Sequence, residues 1–275
     1  MRAVLTRLAG ASVRAALVAA MIVLPVIVLP ELSPNSADLA ILAAAIAAAF
    51  VIFEYGFTTP SLIEFRFAAP YNRFRFAILA LLLTGIAFAF SEPVSSTGTS
   101  LAVSGFAKTS AQIWDFTGSP LTFFEGLTAN MGATSQRLVT NAAALALSLT
   151  AITLVVSSVV IWNFSWPLHA ENFNLWINMP NFDVAVDEET QDTLRQSGLV
   201  SLIIGFTLPY LIPEAAFAFV GPLHPINSGN SLLLLWMIVI WCFVPAVSIL
   251  RAVALYKVAN LLAAQSIELS KSEDV

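Results

Sequence analysis

Hydrophobic residues gather in six long stretches along the chain, and polar or charged segments separate them. A helix needs about 20 largely apolar residues to cross the hydrocarbon core of a membrane. Each stretch approaches that length and is closed by charge, proline or a polar cluster. The pattern predicts a single all-α membrane domain over residues 1–275, a polytopic transmembrane helical bundle with short interfacial helices in its loops. The predicted spans are about 15–30, 38–53, 74–90, 138–162, 199–220 and 231–255.

The basic residues predict how this bundle is oriented, because loops on the cytoplasmic side are enriched in Lys and Arg. With the N-terminus inside, the outer segments hold only Lys108 and Arg137. Both ends are therefore predicted in the cytoplasm. The inner segments hold the other basic residues: Arg2, Arg7, Arg14, Arg66, Arg73, Arg75, Arg195, Arg251, Lys257 and Lys271.

The first stretch has a second interpretation, a cleaved signal peptide whose basic start is Arg2 and Arg7. The apolar stretch is long for a signal peptide, and no clean A-x-A cleavage site follows Pro30. These two features favour an uncleaved first span.

Composition supports a membrane address. The chain is 58% hydrophobic and 11% charged, whereas soluble domains carry about 25% charged residues. The lipid bilayer is therefore the expected solvent, and a net charge of −5 argues against nucleic acid as a partner. Sparse lysine and abundant alanine indicate a bacterial protein, hence a multi-pass protein of the inner membrane. Cys242 is the lone cysteine and excludes an intramolecular disulfide.

The outer loop 91–137 is rich in Ser, Thr and Gly but still contains many apolar and aromatic residues. Disordered segments are poor in aromatics, so this loop is expected to be structured. One or two short helices on the outer surface, or a re-entrant hairpin, both fit. An amphipathic surface helix around 107–116 is the favoured prediction.

Aromatic and basic residues interleave in the inner loop 54–75. One interpretation is an interfacial segment in which arginines contact anionic lipid, and it is favoured because such aromatic belts are common. The more specific interpretation is a docking surface for another membrane subunit. The candidate lipid- or partner-binding residues are Arg66, Phe67, Tyr71, Arg73 and Arg75.

The second inner loop, 163–198, begins with an aromatic part and continues with an acidic part that includes Asp187, Glu188 and Glu189. An acidic stretch of this kind is usually a solvated helix start. Because it is predicted on the same side as Arg73 and Arg75, pairing between the two inner loops is a further hypothesis. The acidic residues are therefore also candidates for partner binding.

Glu214 is the candidate ion or proton site. It falls in the fifth predicted span after Pro209 and Pro213, and acids inside a membrane are functional candidates by default. If the prolines break the helix, freed carbonyl groups become available to an ion. The competing interpretation, slightly favoured, ends the span near Pro213 and leaves Glu214 at the outer interface.

No sequence motif indicates catalysis, a cofactor or a metal. His169 and His224 are the only histidines, and the six-span topology places a membrane between them, which disfavours a shared haem or metal. The H-E-x-x-H, Walker A, G-x-G-x-x-G and C-x-x-C patterns are missing from the sequence. No catalytic residue, cofactor or metal ligand is therefore predicted.

These observations favour a non-catalytic membrane protein, an accessory subunit or assembly factor that binds other membrane subunits. A small transporter or channel that uses Glu214 is the alternative. A membrane enzyme acting on a lipid or isoprenoid ranks third, with His169, Glu171 and Asn172 as its nearest approach to a polar cluster.

Overall fold

A computed structural model describes residues 2–29, 32–57, 63–66, 70–163, 188–227 and 229–273, without the side chains of residues 2–5, 188, 220 and 265–273. Over these ranges the chain is helical and carries no strand. The helices are α1 (Arg2–Val28), α2 (Pro34–Gly56), α3 (Tyr71–Ser91), α4 (Gly98–Trp114), α5 (Pro120–Thr128), α6 (Ala133–Asn163), α7 (Glu188–Val220) and α8 (Ser231–Glu273).

Six of these helices are long and apolar enough to cross a membrane, which confirms the predicted all-α bundle of six spans. They are α1, α2, α3, α6, α7 and α8. The helices extend beyond the predicted spans, most of all α8, which runs to Glu273, and α1, which starts at Arg2. The physical reason is that the predicted spans followed apolarity. A helix continues beyond an apolar stretch wherever good helix formers follow, and a single glycine such as Gly10 does not end it.

The segment predicted as the outer loop, 91–137, contains two helices, and whether they lie on the surface or re-enter the membrane stays a prediction. Thr97 caps α4 through a reciprocal bond with Ser100, and Ser119 caps α5, whose first residue is Pro120. Both starts use residues that satisfy or remove the unpaired N–H groups of a first turn. The favoured helix around 107–116 corresponds to the second half of α4, which ends at Trp114.

The chain forms two compact units, and several long helices contribute to both. Unit 1 comprises residues 1–58, 78–151 and 208–243, and unit 2 comprises residues 59–77, 152–207 and 244–275. This grouping leaves the prediction of a single membrane domain untested.

Unit 1 is built on small residues and aromatic contacts. Gly85 of α3 lies so close to α6 that an added Cβ would stand 2.9 Å from Leu149. Phe124 of α5 stacks on Trp241 of α8 with ring centroids 4.6 Å apart. Trp114 donates its indole N–H to Ser148 at 3.0 Å. Close helix approach and neutral hydrogen bonds of this kind are typical of helix packing in membranes.

The indole of Trp241 also supplies a hydrogen bond that the backbone of α7 lacks. Pro213 has no N–H, so the carbonyl of Pro209, four residues earlier, lacks its normal helical partner. Trp241 donates to that carbonyl at 2.8 Å. The two internal prolines therefore leave α7 continuous from Glu188 to Val220, and the helix break considered for the fifth span is not observed.

Candidate functional site

The most elaborate polar arrangement of unit 2 joins the first inner loop to α8. Arg251 forms a bidentate ion pair with Glu64: Nε lies 2.6 Å from Oε2, and Nη2 lies 2.8 Å from Oε1. Its third nitrogen, Nη1, donates to Ser201 of α7 at 2.6 Å. The side chains are 29% exposed for Arg251 and 12% exposed for Glu64. A two-pronged contact of this kind is among the stronger and more directional ion pairs in proteins.

The backbone around Glu64 is held in an unusual shape. Phe65 has φ = 55°, a conformation that bulky side chains rarely adopt. Asn72, in the first turn of α3, donates its amide to the carbonyl of Phe65 at 2.9 Å and to that of Glu64 at 3.3 Å. The buried ring of Phe65 packs on Tyr71 with centroids 4.7 Å apart. A strained residue persists only where its surroundings fix it, and these contacts do so here.

A face of small residues on α7 allows Ser201 to reach Arg251. Gly198, Ser201 and Gly205 lie three and four residues apart, on one side of the helix. A Cβ on Gly205 would clash with the side chain of Ile249 and stand 3.0 Å from the carbonyl oxygen of Pro245. Glycine is therefore required for α7 and α8 to approach this closely.

We call the cluster of Glu64, Arg251 and Ser201 the clamp, because its polar side chains bind one another. Both carboxylate oxygens of Glu64 accept from Arg251, and all three nitrogens of the guanidinium donate. Groups committed in this way are poor general acids or bases, which need a lone pair or proton facing a substrate. Across the described ranges, no three His, Cys, Asp or Glu side chains gather into a metal-binding group.

The residues predicted to bind lipid or a partner fall into several environments. Tyr71 and Arg66 are buried, and Arg75 is half-buried, with Nη1 3.2 Å from Oδ1 of Asn72 and its guanidinium 5.9 Å from the ring centre of Tyr71. Arg73 is exposed. Tyr71 and Arg75 therefore make contacts that support the conformation of the loop, whereas Arg73 lies at the surface.

The acidic candidates lie at the start of α7. Glu188 is the first residue of the helix, and the side chain of Glu189 is exposed. Phe67 and Asp187 lie outside the described residues. An acidic first turn is favoured by the helix dipole, as expected for a solvated helix start. The pairing of this stretch with Arg73 and Arg75 stays a prediction.

Glu214 occupies an exposed position on α7, which continues to Val220. The carbonyl of Pro209, expected to be available to an ion, instead accepts the indole of Trp241. The apolar helix continues past Pro213 to Phe219, and the position of Glu214 relative to the outer interface stays a prediction. A role for Glu214 in transport stays a prediction.

No sequence pattern singled out Glu64, Asn72 or Ser201, and Arg251 served only as an indicator of orientation. Two signals were present in the sequence. Arg251 interrupts an apolar run that continues to Ala264, and a charge in such a run needs a partner. The spacing of Gly198, Ser201 and Gly205 marks a close-packing face. Neither signal identifies Glu64 as the partner.

No family model, curated protein or solved structure matches this chain. The geometry of the described residues is therefore the basis for a functional proposal.

Proposed function

We propose that the protein is a non-catalytic accessory subunit or assembly factor of a larger membrane complex in a bacterial inner membrane. The docking surface is the inner-loop surface, defined as residues 63–66 and 70–75. The observation that carries this proposal is the fixed shape of this loop. Glu64 is paired with Arg251 of α8, and Phe65 is held in a strained conformation. Asn72 donates hydrogen bonds to the backbone carbonyls of Glu64 and Phe65.

The fixed shape favours docking over a purely lipid-facing role. Headgroup contact needs aromatic and basic side chains at the right depth but no particular backbone conformation. Strained backbone conformations instead cluster at functional sites such as ligand clamps and switch regions, which favours a binding role for this loop. Exposed Arg73 gives the inner-loop surface a positive charge, so the expected partner segment is acidic.

The test is purification of a tagged chain from its native membranes in mild detergent, followed by mass analysis of the intact particle. A stoichiometric set of other membrane subunits is expected. Arg73→Glu should reduce their yield at least tenfold, because an opposite charge becomes a like charge across the interface. Arg195→Glu is the matched control, since Arg195 is an exposed cation on α7 with the same predicted side.

Two outcomes would contradict the proposal. One is a wild-type protein that purifies as a clean monomer or homo-oligomer. The other is an equal yield of partners from the wild type and from Arg73→Glu, with the variant folded as judged by circular dichroism.

A small transporter with Glu214 as its ion or proton site is the alternative, and its support is the position of this acid in an apolar helix. Its test is proton-coupled uptake by reconstituted vesicles. Glu214→Gln would abolish uptake driven by a pH gradient if the alternative holds, and unchanged uptake would exclude it.

A further inference from the structure

Unit 2 contains an open groove of about 510 Å³ that runs between α6, α7 and α8. Its apolar walls are formed mainly by Val159 and Trp162 of α6, Leu202 of α7, and Val253 and Tyr256 of α8. The volume lies in the range of about 300–1,000 Å³ that ligand pockets occupy.

The polar lining of the groove includes Ser158, Asn163 and Asn260, and the two asparagines are the lining residues nearest the C-terminal ends of their helices. Asn163 is the last residue of α6, and Asn260 lies two turns beyond Val253 on α8. Both helices run toward the predicted inner side at this point, so the amides are at the end expected to meet the headgroups. The groove is therefore mostly apolar, and Asn163 and Asn260 form a polar end on the predicted inner side.

The ammonium of Lys257 lies beside the polar end of the groove. Lys257 lies three residues before Asn260 on α8, and its ammonium donates to the carbonyl of Trp162 at 2.8 Å. The same ammonium is 5.8 Å from the centre of the Trp162 ring, which lines the groove. An ammonium carries three N–H donors, and the bond to Trp162 uses one of them.

We propose that this groove binds one phospholipid from the leaflet on the predicted inner side. An acyl chain lies along Val159, Leu202 and Val253, and the phosphate accepts hydrogen bonds from Lys257 and from the amides of Asn163 and Asn260. Complementary charge argues for this occupant, since a phosphate supplies the negative oxygens that an ammonium at headgroup depth binds best. The inference does not rest on the docking function.

The experiment titrates the delipidated full chain in detergent with dioleoyl phosphatidylglycerol and counts bound lipids by mass spectrometry of the intact protein. Dioleoylglycerol, which has the same chains without the phosphate, is the matched ligand. One phosphatidylglycerol per chain is expected at low concentration, with dioleoylglycerol at least tenfold weaker, because hydrogen bonds to charged groups contribute that much.

Three variants separate the elements of the proposed site. Lys257→Gln should weaken phosphatidylglycerol about tenfold and leave dioleoylglycerol unchanged. Val159→Trp fills the groove at an exposed wall position, keeps the ammonium, and should weaken both lipids. Arg195→Gln removes an exposed cation elsewhere on the predicted inner side and should change neither.

Since Lys257 also binds the end of α6, Lys257→Gln risks unfolding, and in that case Val159→Trp decides the question. The absence of a one-to-one complex in the wild type would overturn the proposal. Equal phosphatidylglycerol affinity in the wild type and in folded Val159→Trp would overturn it as well.

Discussion

Glu54 in unit 1 and Glu64 in unit 2 are both withdrawn from solvent, but their surroundings differ. Glu64 has a cationic partner for each of its oxygens. Glu54, in the last turn of α2, is 8% exposed, and its Oε2 has no hydrogen-bond partner among the described residues. Arg14 of α1 lies over the ring of the neighbouring Tyr55, 4.9 Å from its centre, and donates to the carbonyl of Gly10. The buried acid of unit 2 is therefore paired with a cation, whereas one oxygen of the buried acid of unit 1 lacks a hydrogen bond among the described residues.

The two units also differ in the donors that link separate elements of the chain. In unit 1 the indole N–H groups of Trp114 and Trp241 are neutral donors. Unit 2 adds cations to the neutral amide of Asn72, with Arg251 on Glu64 and Lys257 on the carbonyl of Trp162. Neutral bonds are individually modest, whereas loss of one partner from a charged pair leaves a charge with poor solvation. Substitutions in unit 2 should therefore have the larger effects.

The largest effect is expected from breaking the clamp. Arg251→Leu leaves the largely buried carboxylate of Glu64 without its partner, so the free energy of unfolding should fall by about 3 kcal/mol. Adding Glu64→Leu should recover part of that loss, because no unpaired charge remains. Reversible unfolding in mixed micelles measures both. Purely additive losses would show that the two side chains are not coupled.

An intermediate effect is expected where Trp241 supports α7. Trp241→Phe keeps an aromatic ring against Phe124 but removes the donor to the carbonyl of Pro209, at a cost of about 1–2 kcal/mol. Pro213→Ala restores a backbone N–H four residues after Pro209. In the Pro213→Ala background, Trp241→Phe should therefore cost less than it does in the wild type. Equal costs in the two backgrounds would exclude this account of the tryptophan.

The smallest effect has the opposite sign. Glu54→Leu removes a buried carboxylate that lacks one hydrogen bond, so the free energy of unfolding should rise by about 1 kcal/mol. Glu189→Leu serves as a control at an exposed acid and should change stability little. A loss of stability in Glu54→Leu would mean that this acid has a favourable partner, and the contrast with Glu64 would disappear.

The six spans, the all-helical fold and the helices of the outer loop follow from local patterns along the chain. Apolar length alone predicts a membrane helix, because lipid offers no alternative partner for backbone N–H and C=O groups. The exact helix ends were harder to predict, since α7 and α8 extend through sequence that is polar but still favours helix. Helix propensity there acts independently of the bilayer.

The partners of the charged residues depended on contacts between distant parts of the chain. Arg251 and Glu64 are far apart in sequence, and the choice among the inner-loop charges depends on how Phe65 and Asn72 shape the backbone. The hypothesis of inner-loop pairing looked to Arg73 and Arg75, whereas the observed clamp uses the loop's acid and an arginine of α8. Periodicity and composition report on how a residue interacts with its solvent. Which two charges meet is set by tertiary contacts, here the loop backbone held by Asn72 and the approach of α7 to α8 that Gly205 permits.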